Sequence, residues 1–467
     1  MYSNDIALIG LAVMGQNLAL NMARNGFTVT VYNRTWEKTE AFMLHAAKET
    51  SIIAARDLKA CVASLKKPRL IFLMVKAGAA VDAVLDELTP YLEPGDIIMD
   101  GGNSHFDDTA ARICRLEAEG VFYLGVGVSG GEKGALLGPS VMSGGSKDAW
   151  EQVAPMLKAI AAHAADGQAC ADYMGRDGAG HFVKMVHNGI EYAVMQLLAE
   201  AHDLLSRGLG LRAEEEADVF SEWNAGLAAS YLLEITEEIL RTKDTLSGAP
   251  ILDVVRDKAG SKGTGLWTTQ TALSLGVPTP TITAAVEARM LSGLAEERAH
   301  AAKTLPGPQA PPRSGDTDLL GRAVFMAALA AYAQGFALIR AAENAWSWGL
   351  QPSVIARVWR EGCIIRAAFL DDLALAFEHE AGLANLLLAP AFDDVLSRGH
   401  VSLRRTVCMA ADLGIPAPAL TASLAYYDGY RSHRLPANLI QAQRDYFGAH
   451  GFERMDRPGV FHGPWSE

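Results

Sequence analysis

The 467-residue chain has few of the features that mark secreted, membrane or nucleic-acid-binding proteins. It has only five cysteines, Cys61, Cys114, Cys170, Cys363 and Cys408, odd in number and without CxxC spacing. That argues against a disulfide framework or a cysteine zinc site and for reduced thiols in a cytoplasmic compartment. Positive charge is scarce: 41 Lys and Arg stand against 54 Asp and Glu, a formal net charge of −13. A chain of that sign makes a poor partner for nucleic acid, and any anionic ligand must be met by local cations. The longest apolar stretch, Ala323 to Ile339, contains Gln334 and stops at Arg340. It predicts a buried core helix rather than a membrane span. The N-terminus enters an apolar strand almost at once, Ile6 to Ile9, so no signal peptide is expected.

The length suffices for two or three domains. The first third alternates short apolar runs with helical patterns: Ile6–Ile9, Thr28–Val31, Leu70–Val75, Ile97–Met99 and Tyr123–Val128. This rhythm predicts a Rossmann-like α/β domain with a parallel sheet over residues 1–177. After about Gly178 the 3.6-residue period dominates and no strand is expected, so residues 178–430 read as a large all-α domain. The stretch 305–312, Leu-Pro-Gly-Pro-Gln-Ala-Pro-Pro, interrupts it. On either side lies a weak internal repeat, from Phe182 to Gly226 and from Phe325 to Gly362. Residues 431–467, less apolar and carrying Arg444 and His450, read as a C-terminal tail.

The run Gly10, Leu11, Ala12, Val13, Met14, Gly15 follows the first strand and opens a helix. It is a variant of the dinucleotide fingerprint, with glycine at the tight turn and at the helix–sheet contact. The second strand leads into Asn33, Arg34 and Thr35, where NAD-binding sites usually place an acid. Donors in place of the acid, Arg34 above all, suit the 2′-phosphate of NADP. Val75, Lys76 and Ala77 follow the next regular strand, on the ligand edge of the sheet. Two glycine-rich loops, one with Asn103 and one with Ser129, Gly130 and Gly131, sit on that same edge and can hold a carboxylate.

The most informative segment starts the helical region. Lys184, His187, Asn188, Glu191 and Tyr192 fall at i, i+3, i+4, i+7 and i+8, along one face of a helix. Such a polar stripe is normally solvated, but this one begins where the nucleotide domain ends and can face the cleft. Lysine and glutamate two turns apart form an acid–base pair. Gly189 within the stripe suggests close approach by backbone or ligand. Lys262, Thr264 and Arg289 are candidate contacts for a substrate phosphate.

These motifs, with Gly362-Cys-Ile-Ile-Arg366 and Gln441-Ala-Gln-Arg444-Asp-Tyr-Phe-Gly-Ala-His450, resemble the 6-phosphogluconate dehydrogenase family nearly end to end. The resemblance implies oxidative decarboxylation of 6-phosphogluconate with NADP, without a metal. It implies Lys184 as general base and Glu191 as general acid. Asn103, Ser129, Gly130, Gly131, His187 and Asn188 would hold the carboxylate and hydroxyls. Tyr192, Lys262, Thr264 and Arg289 would hold the phosphate, joined by Arg444 and His450 from the partner subunit of a tail-exchanged homodimer. The chain departs from the family pattern at Leu266, where a second lysine is expected, and at Glu287, where an aromatic is expected. The rival readings are a short-substrate β-hydroxyacid dehydrogenase and a non-catalytic NADPH-binding sensor. The chain's length counts against the first, and the intact Lys184 and Glu191 against the second.

Overall fold

The computed structural model describes residues 4–308 and 311–465. Gln309 and Ala310 of the proline-rich interruption lie outside the described residues. The N-terminal region is built on eight strands: β1 Ile6–Ile9, β2 Val29–Tyr32, β3 Ile53–Ala54, β4 Leu70–Leu73, β5 Ile97–Asp100, β6 Phe122–Ser129, β7 Ser140–Gly145 and β8 Ala171–Gly175. They form one sheet in the order β3-β2-β1-β4-β5-β6-β7-β8. The order reverses beside β1, and that switch point sets the ligand crevice at the carboxyl ends of the strands. β1, β4 and β5 are buried along their whole length. Helices cover both faces there, which is why these strands read as continuous apolar runs. Apolar side chains pack on each face, Leu8, Val31 and Phe72 on one and Ile9, Ile71 and Tyr123 on the other.

The sheet is mixed rather than parallel throughout. β7 runs antiparallel to β6, and β8 runs parallel to β7. Neither strand was expected from the sequence, because Ser140-Val-Met-Ser-Gly-Gly145 has a glycine- and serine-rich composition of low strand propensity. The two-residue β3 is likewise too short to leave a pattern.

A 25-residue helix, Ala179–Asp203, leaves β8 and lies against β6 and β7. A 30-residue helix, Thr317–Trp346, crosses it and packs on Asp393–Leu413 and Pro418–Tyr430. It contains the apolar stretch Ala323–Ile339, and most of it is buried inside the protein. It is therefore a core helix, as its interruption by Gln334 predicts.

The tail corrects the expectation of no strand beyond Gly178. After a helix, Ala437–Gly448, the segments Phe452–Glu453 and Val460–Phe461 pair as an antiparallel hairpin. Asp445 organises this unit: its buried carboxylate accepts from the Gly451 and Gly463 N–H groups, Trp465 Nε1 and His462 Nδ1. These donors hold its carboxyl well below the usual carboxylate range. The periodicity of two-residue strands is too short to read. Every hydrogen bond made by residues 437–465 among the described residues stays within 436–465. The tail helix leaves Leu439, Ile440, Tyr446 and Phe447 exposed, the last at 73%.

Candidate active site

The glycine loop has the form a pyrophosphate needs. Gly10 has φ +105°, and a Cβ there would strike the Met74 carbonyl. A Cβ on Gly15 would strike the Gly10 carbonyl oxygen, so the helix Val13–Arg24 can start this close to β1 only with glycine. Ala12 caps that helix without any side-chain bond, and the first-turn N–H groups point to the crevice. Asn33 also works within the protein. Its Oδ1 accepts from the Leu11 N–H at 3.1 Å and its Nδ2 donates to the Thr35 carbonyl at 3.0 Å. It is a strut between β2 and the glycine loop, with one amide N–H left over. Arg34 and Thr35 are exposed, and no carboxylate pairs with Arg34 among the described residues. The absence of an acid and the presence of this arginine fit a 2′-phosphorylated dinucleotide. Val75, Lys76 and Ala77 lie between β4 and the helix Ala79–Leu88, along the same edge.

Small residues seat the helix Ala179–Asp203 on the sheet. A Cβ on Gly127 of β6 would meet the Lys184 side chain, with Cγ at 3.0 Å and Cβ nearer still. Gly144 and Gly180 meet backbone to backbone in the same way. His181 fixes the helix start: its ring nitrogens contact Thr109 Oγ1 at 2.6 Å and the Asp100 carbonyl at 3.0 Å. Asp100 is buried, accepting from Ser104 Oγ, Tyr123 OH and the Gly102 N–H, and so shapes the loop that presents the exposed Asn103.

The expected stripe is present and largely buried. Lys184 is 6% exposed and His187 0%. Lys184 Nζ lies 3.3 Å from His187 Nδ1, which is 3.1 Å from Asn188 Oδ1 and 3.7 Å from Glu191 Oε2. His187 Nε2 lies 3.1 Å from Ser129 Oγ. With Nδ1 protonated, His187 donates to Asn188 and accepts from Ser129. The other tautomer accepts from Lys184. Burial, then the charge of Lys184, holds His187 well below its usual range, so it is a neutral imidazole. Burial pulls the Lys184 ammonium down, against the attraction of Glu191. Burial pushes the Glu191 carboxyl up, against Lys184, Arg289 and Lys262. A lysine eased toward its neutral form and a carboxyl eased toward its protonated form are the states a base and an acid start from. They stand two turns apart, about 10.5 Å of helix rise, and so address different atoms of one bound molecule.

The far end of the site carries cations. Arg289 lies flat over the Tyr192 ring, 3.4 Å from Cζ to centroid, and Nη1 donates to the Gly260 carbonyl. Lys262 is exposed, and Thr264 is buried at the start of the helix Thr264–Ser274. The close approach expected at Gly189 is made by a side chain, Thr268 of this helix, and not by backbone or ligand. Gly265 in turn sits against the Tyr192 ring. His105, just after Asn103, meets Trp267 edge-on at 5.0 Å, so the Asn103 loop and this helix meet. Leu266 and Glu287, the departures from the family pattern, are both exposed.

Arg444 and His450 are exposed within the self-contained tail and are not joined to the rest of the site by any hydrogen bond in the single chain. Sequence reasoning missed the second wall. Trp359 is edge-on to His187 at 5.8 Å, and a Cβ on Gly130 would meet the Gly362 carbonyl at 2.6 Å. Cys363 is fully buried there, and burial pushes its thiol up to about 12, which leaves it inert as a nucleophile. The glycine spacing Gly125, Gly127 in β6 was the available signal for the helix contact.

A Rossmann-type nucleotide edge facing a buried lysine–histidine–glutamate stripe on a helical domain defines a dinucleotide-dependent dehydrogenase. The family description "NAD binding domain of 6-phosphogluconate dehydrogenase" matches residues 5–175, and "6-phosphogluconate dehydrogenase, C-terminal domain" matches residues 180–465. The chain belongs to the 6-phosphogluconate dehydrogenase family. It is 52% identical over 471 residues to the decarboxylating 6-phosphogluconate dehydrogenase of Synechococcus elongatus, covering 100% of both chains. It is 50% identical over 469 residues to the NADP(+)-dependent decarboxylating enzyme of Bacillus subtilis, again covering 100% of both. A solved Plasmodium falciparum 6-phosphogluconate dehydrogenase superposes with a TM-score of 0.94 at 42% identity, covering 99% of this chain and 100% of that one. That enzyme was solved in its apo form, with NADP+ and with 6-phosphogluconate.

Proposed function

We propose that this protein oxidises and decarboxylates 6-phosphogluconate to ribulose 5-phosphate with NADP, as a homodimer in the cytoplasm. The observation that carries the reading is the buried Lys184–His187–Glu191 stripe facing the nucleotide edge. NADP, when bound, supplies the hydride acceptor. Gly10, Leu11, Ala12, Val13, Met14 and Gly15 cradle its pyrophosphate, Arg34 and Thr35 take the 2′-phosphate, and Val75, Lys76, Ala77 and Asn103 border it.

Neutral Lys184 takes the proton of the substrate C3 hydroxyl as that carbon is oxidised. The resulting ammonium then stands at the new carbonyl and draws charge onto its oxygen while the carboxylate leaves as carbon dioxide. Glu191, its carboxyl pushed up by burial toward the protonated form, gives its proton to C1 of the enediol. Asn103, Ser129, Gly130, Gly131, His187 and Asn188 hold the carboxylate and hydroxyls, and the contact of Ser129 with His187 fixes the imidazole. Tyr192, Lys262, Thr264 and Arg289 take the phosphate end. Arg444 and His450 complete it from the partner subunit, a role supported by a tail bonded only to itself, with an apolar face exposed. An isologous exchange would cover that face. The test is a panel of hydroxy acids followed at 340 nm with NAD and NADP in parallel, with carbon dioxide release measured. Turnover of 6-phosphogluconate with NADP and stoichiometric carbon dioxide supports the reading. Oxidation of only short hydroxy acids, or no turnover, refutes it.

A further inference from the structure

Beyond Arg34, the nucleotide edge holds a second arginine whose position is set by the fold. β2 and β3 pair in parallel, Thr30 with Ile53 and Val31 with Ala54, and the Ala55 N–H donates to the Val31 carbonyl at 3.0 Å. Continuing that register two steps, through Tyr32 and Ala55, brings Arg56 level with Asn33, the neighbour of Arg34, at the carboxyl edge. Its guanidinium lies over the indole of Trp36, 3.5 Å from Cζ to ring centroid. Trp36 is the first residue of the nine-residue helix Trp36–Leu44, and Thr35 before it makes no side-chain capping bond.

We propose that Arg56, held flat on Trp36, is a second guanidinium contact to the ribose 2′-phosphate, and that Trp36 is the residue that positions it. The proposal rests on the NADP reading above. Stacking uses the face of a guanidinium and leaves its N–H edges available. Those edges have no carboxylate partner among the described residues. The acid next in sequence, Asp57, is turned away to cap the helix Leu58–Ala63, accepting from the Ala60 N–H at 2.7 Å. Arg56 is exposed, so without the indole its long side chain would have to be ordered when ligand binds. Held on the ring, it meets the ligand with that entropy already lost. Two guanidinium groups, the Thr35 hydroxyl and a helix N-terminus then converge on one edge, a donor set matched to a dianion and wasted on a bare ribose. Asn33 has one amide N–H spent on the Thr35 carbonyl and its oxygen on the Leu11 N–H, which leaves it a single N–H for that edge.

The test uses the full-length protein and four variants, Arg56→Ala, Arg56→Lys, Trp36→Ala and, as a control, Lys59→Ala. Dissociation constants for NADP and for NAD are measured by calorimetry, beside kcat at saturating cofactor and the urea midpoint. Losing one charge-assisted contact at an exposed site should weaken NADP about 10-fold in Arg56→Ala. NAD affinity and kcat should not change. Trp36→Ala should weaken NADP less, and Arg56→Lys should fall between, because a lysine keeps charge without the flat stack. Lys59→Ala should leave both constants alone. The proposal is overturned if Arg56→Ala leaves NADP affinity unchanged, or weakens NAD and NADP equally. A lowered urea midpoint with unchanged affinity would make the stack a brace for β3 only. If the unsubstituted protein binds NAD as tightly as NADP, the cofactor reading itself fails, a result separate from any variant.

Discussion

Replacing Gly189 by alanine sets two effects of opposite sign against each other. Gly189 lies inside the helix Ala179–Asp203, where alanine is favoured over glycine by about 1 kcal/mol. Against this, the new Cβ would stand 2.6 Å from Thr268 Cγ2 and 2.9 Å from its Oγ1. Thr268 cannot swing aside cheaply, because its hydroxyl donates to the Met185 carbonyl at 2.8 Å and the Thr264 carbonyl at 3.0 Å. Overpacking of this kind costs about 1–3 kcal/mol, so after the helix gain of about 1 kcal/mol the variant should lose up to about 2 kcal/mol. The helix Thr264–Ser274 would be pushed off the one bearing Glu191 and Tyr192, so KM for 6-phosphogluconate should rise more than kcat falls. Urea unfolding and steady-state kinetics read both effects. Gly429→Ala is the comparison: it is also a helix glycine, with nothing within 4 Å of a Cβ, and should gain up to about 1 kcal/mol. Adding Thr268→Ser to the Gly189 variant removes the nearest clashing group and should recover part of the lost stability, although alone it should cost about 1 kcal/mol. If Gly189→Ala is as stabilising as Gly429→Ala, Thr268 does not press on Gly189 and the two helices are not held apart by a single hydrogen at that position.

Lys184→Ala should lower turnover about 10²–10⁴-fold while NADP still binds, measured by kinetics and calorimetry together; near-normal turnover would remove lysine as the base. In kcat/KM–pH profiles, the rising limb should report Lys184 losing its proton, at lower pH than an ordinary lysine, and the falling limb should report Glu191 losing its proton, at higher pH than an ordinary glutamate. Glu200, buried at the N-terminus of Pro418–Tyr430 and bonded to the Ala419 and Leu420 N–H groups, is pushed up to about 7 by burial. Its folded-state value is raised, so its contribution to stability is present below the ordinary 4.5 and lost as pH rises toward 7. Relative to Glu200→Gln, the protein should lose about 3 kcal/mol across that window, and a pH-independent difference would contradict the assignment. Co-refolding Lys184→Ala with Arg444→Ala should restore about a quarter of normal activity if the tail serves the partner's site; activity no higher than the mean of the two parents would keep the tail in its own subunit.

Some of this was legible from residues alone, because its cause is local. The glycine turn at Gly10 is imposed by a single φ, and the stripe Lys184, His187, Glu191 follows from helical period. The missing acid after β2 is a matter of one residue's chemistry. The alternation of apolar runs was enough for β1, β2, β4, β5 and β6 of the nucleotide-binding sheet. Other features depend on partners distant in sequence. β7 is a strand only because β6 and β8 pair with it, and its serines and glycines carry no period that announces this. Asn33 reads only as a ligand donor, and its bracing bonds to Leu11 and Thr35 appear once those residues are placed beside it. Gly189 looks like an opening until Thr268 fills it. The shifted ionisation of Lys184 and Glu191 comes from burial by β6 and neighbouring helices, and no spacing along one helix encodes how much water remains around a side chain. Residue chemistry and period decide which groups can act, but their protonation, their partners and the walls around them are decided by packing between segments far apart in the chain.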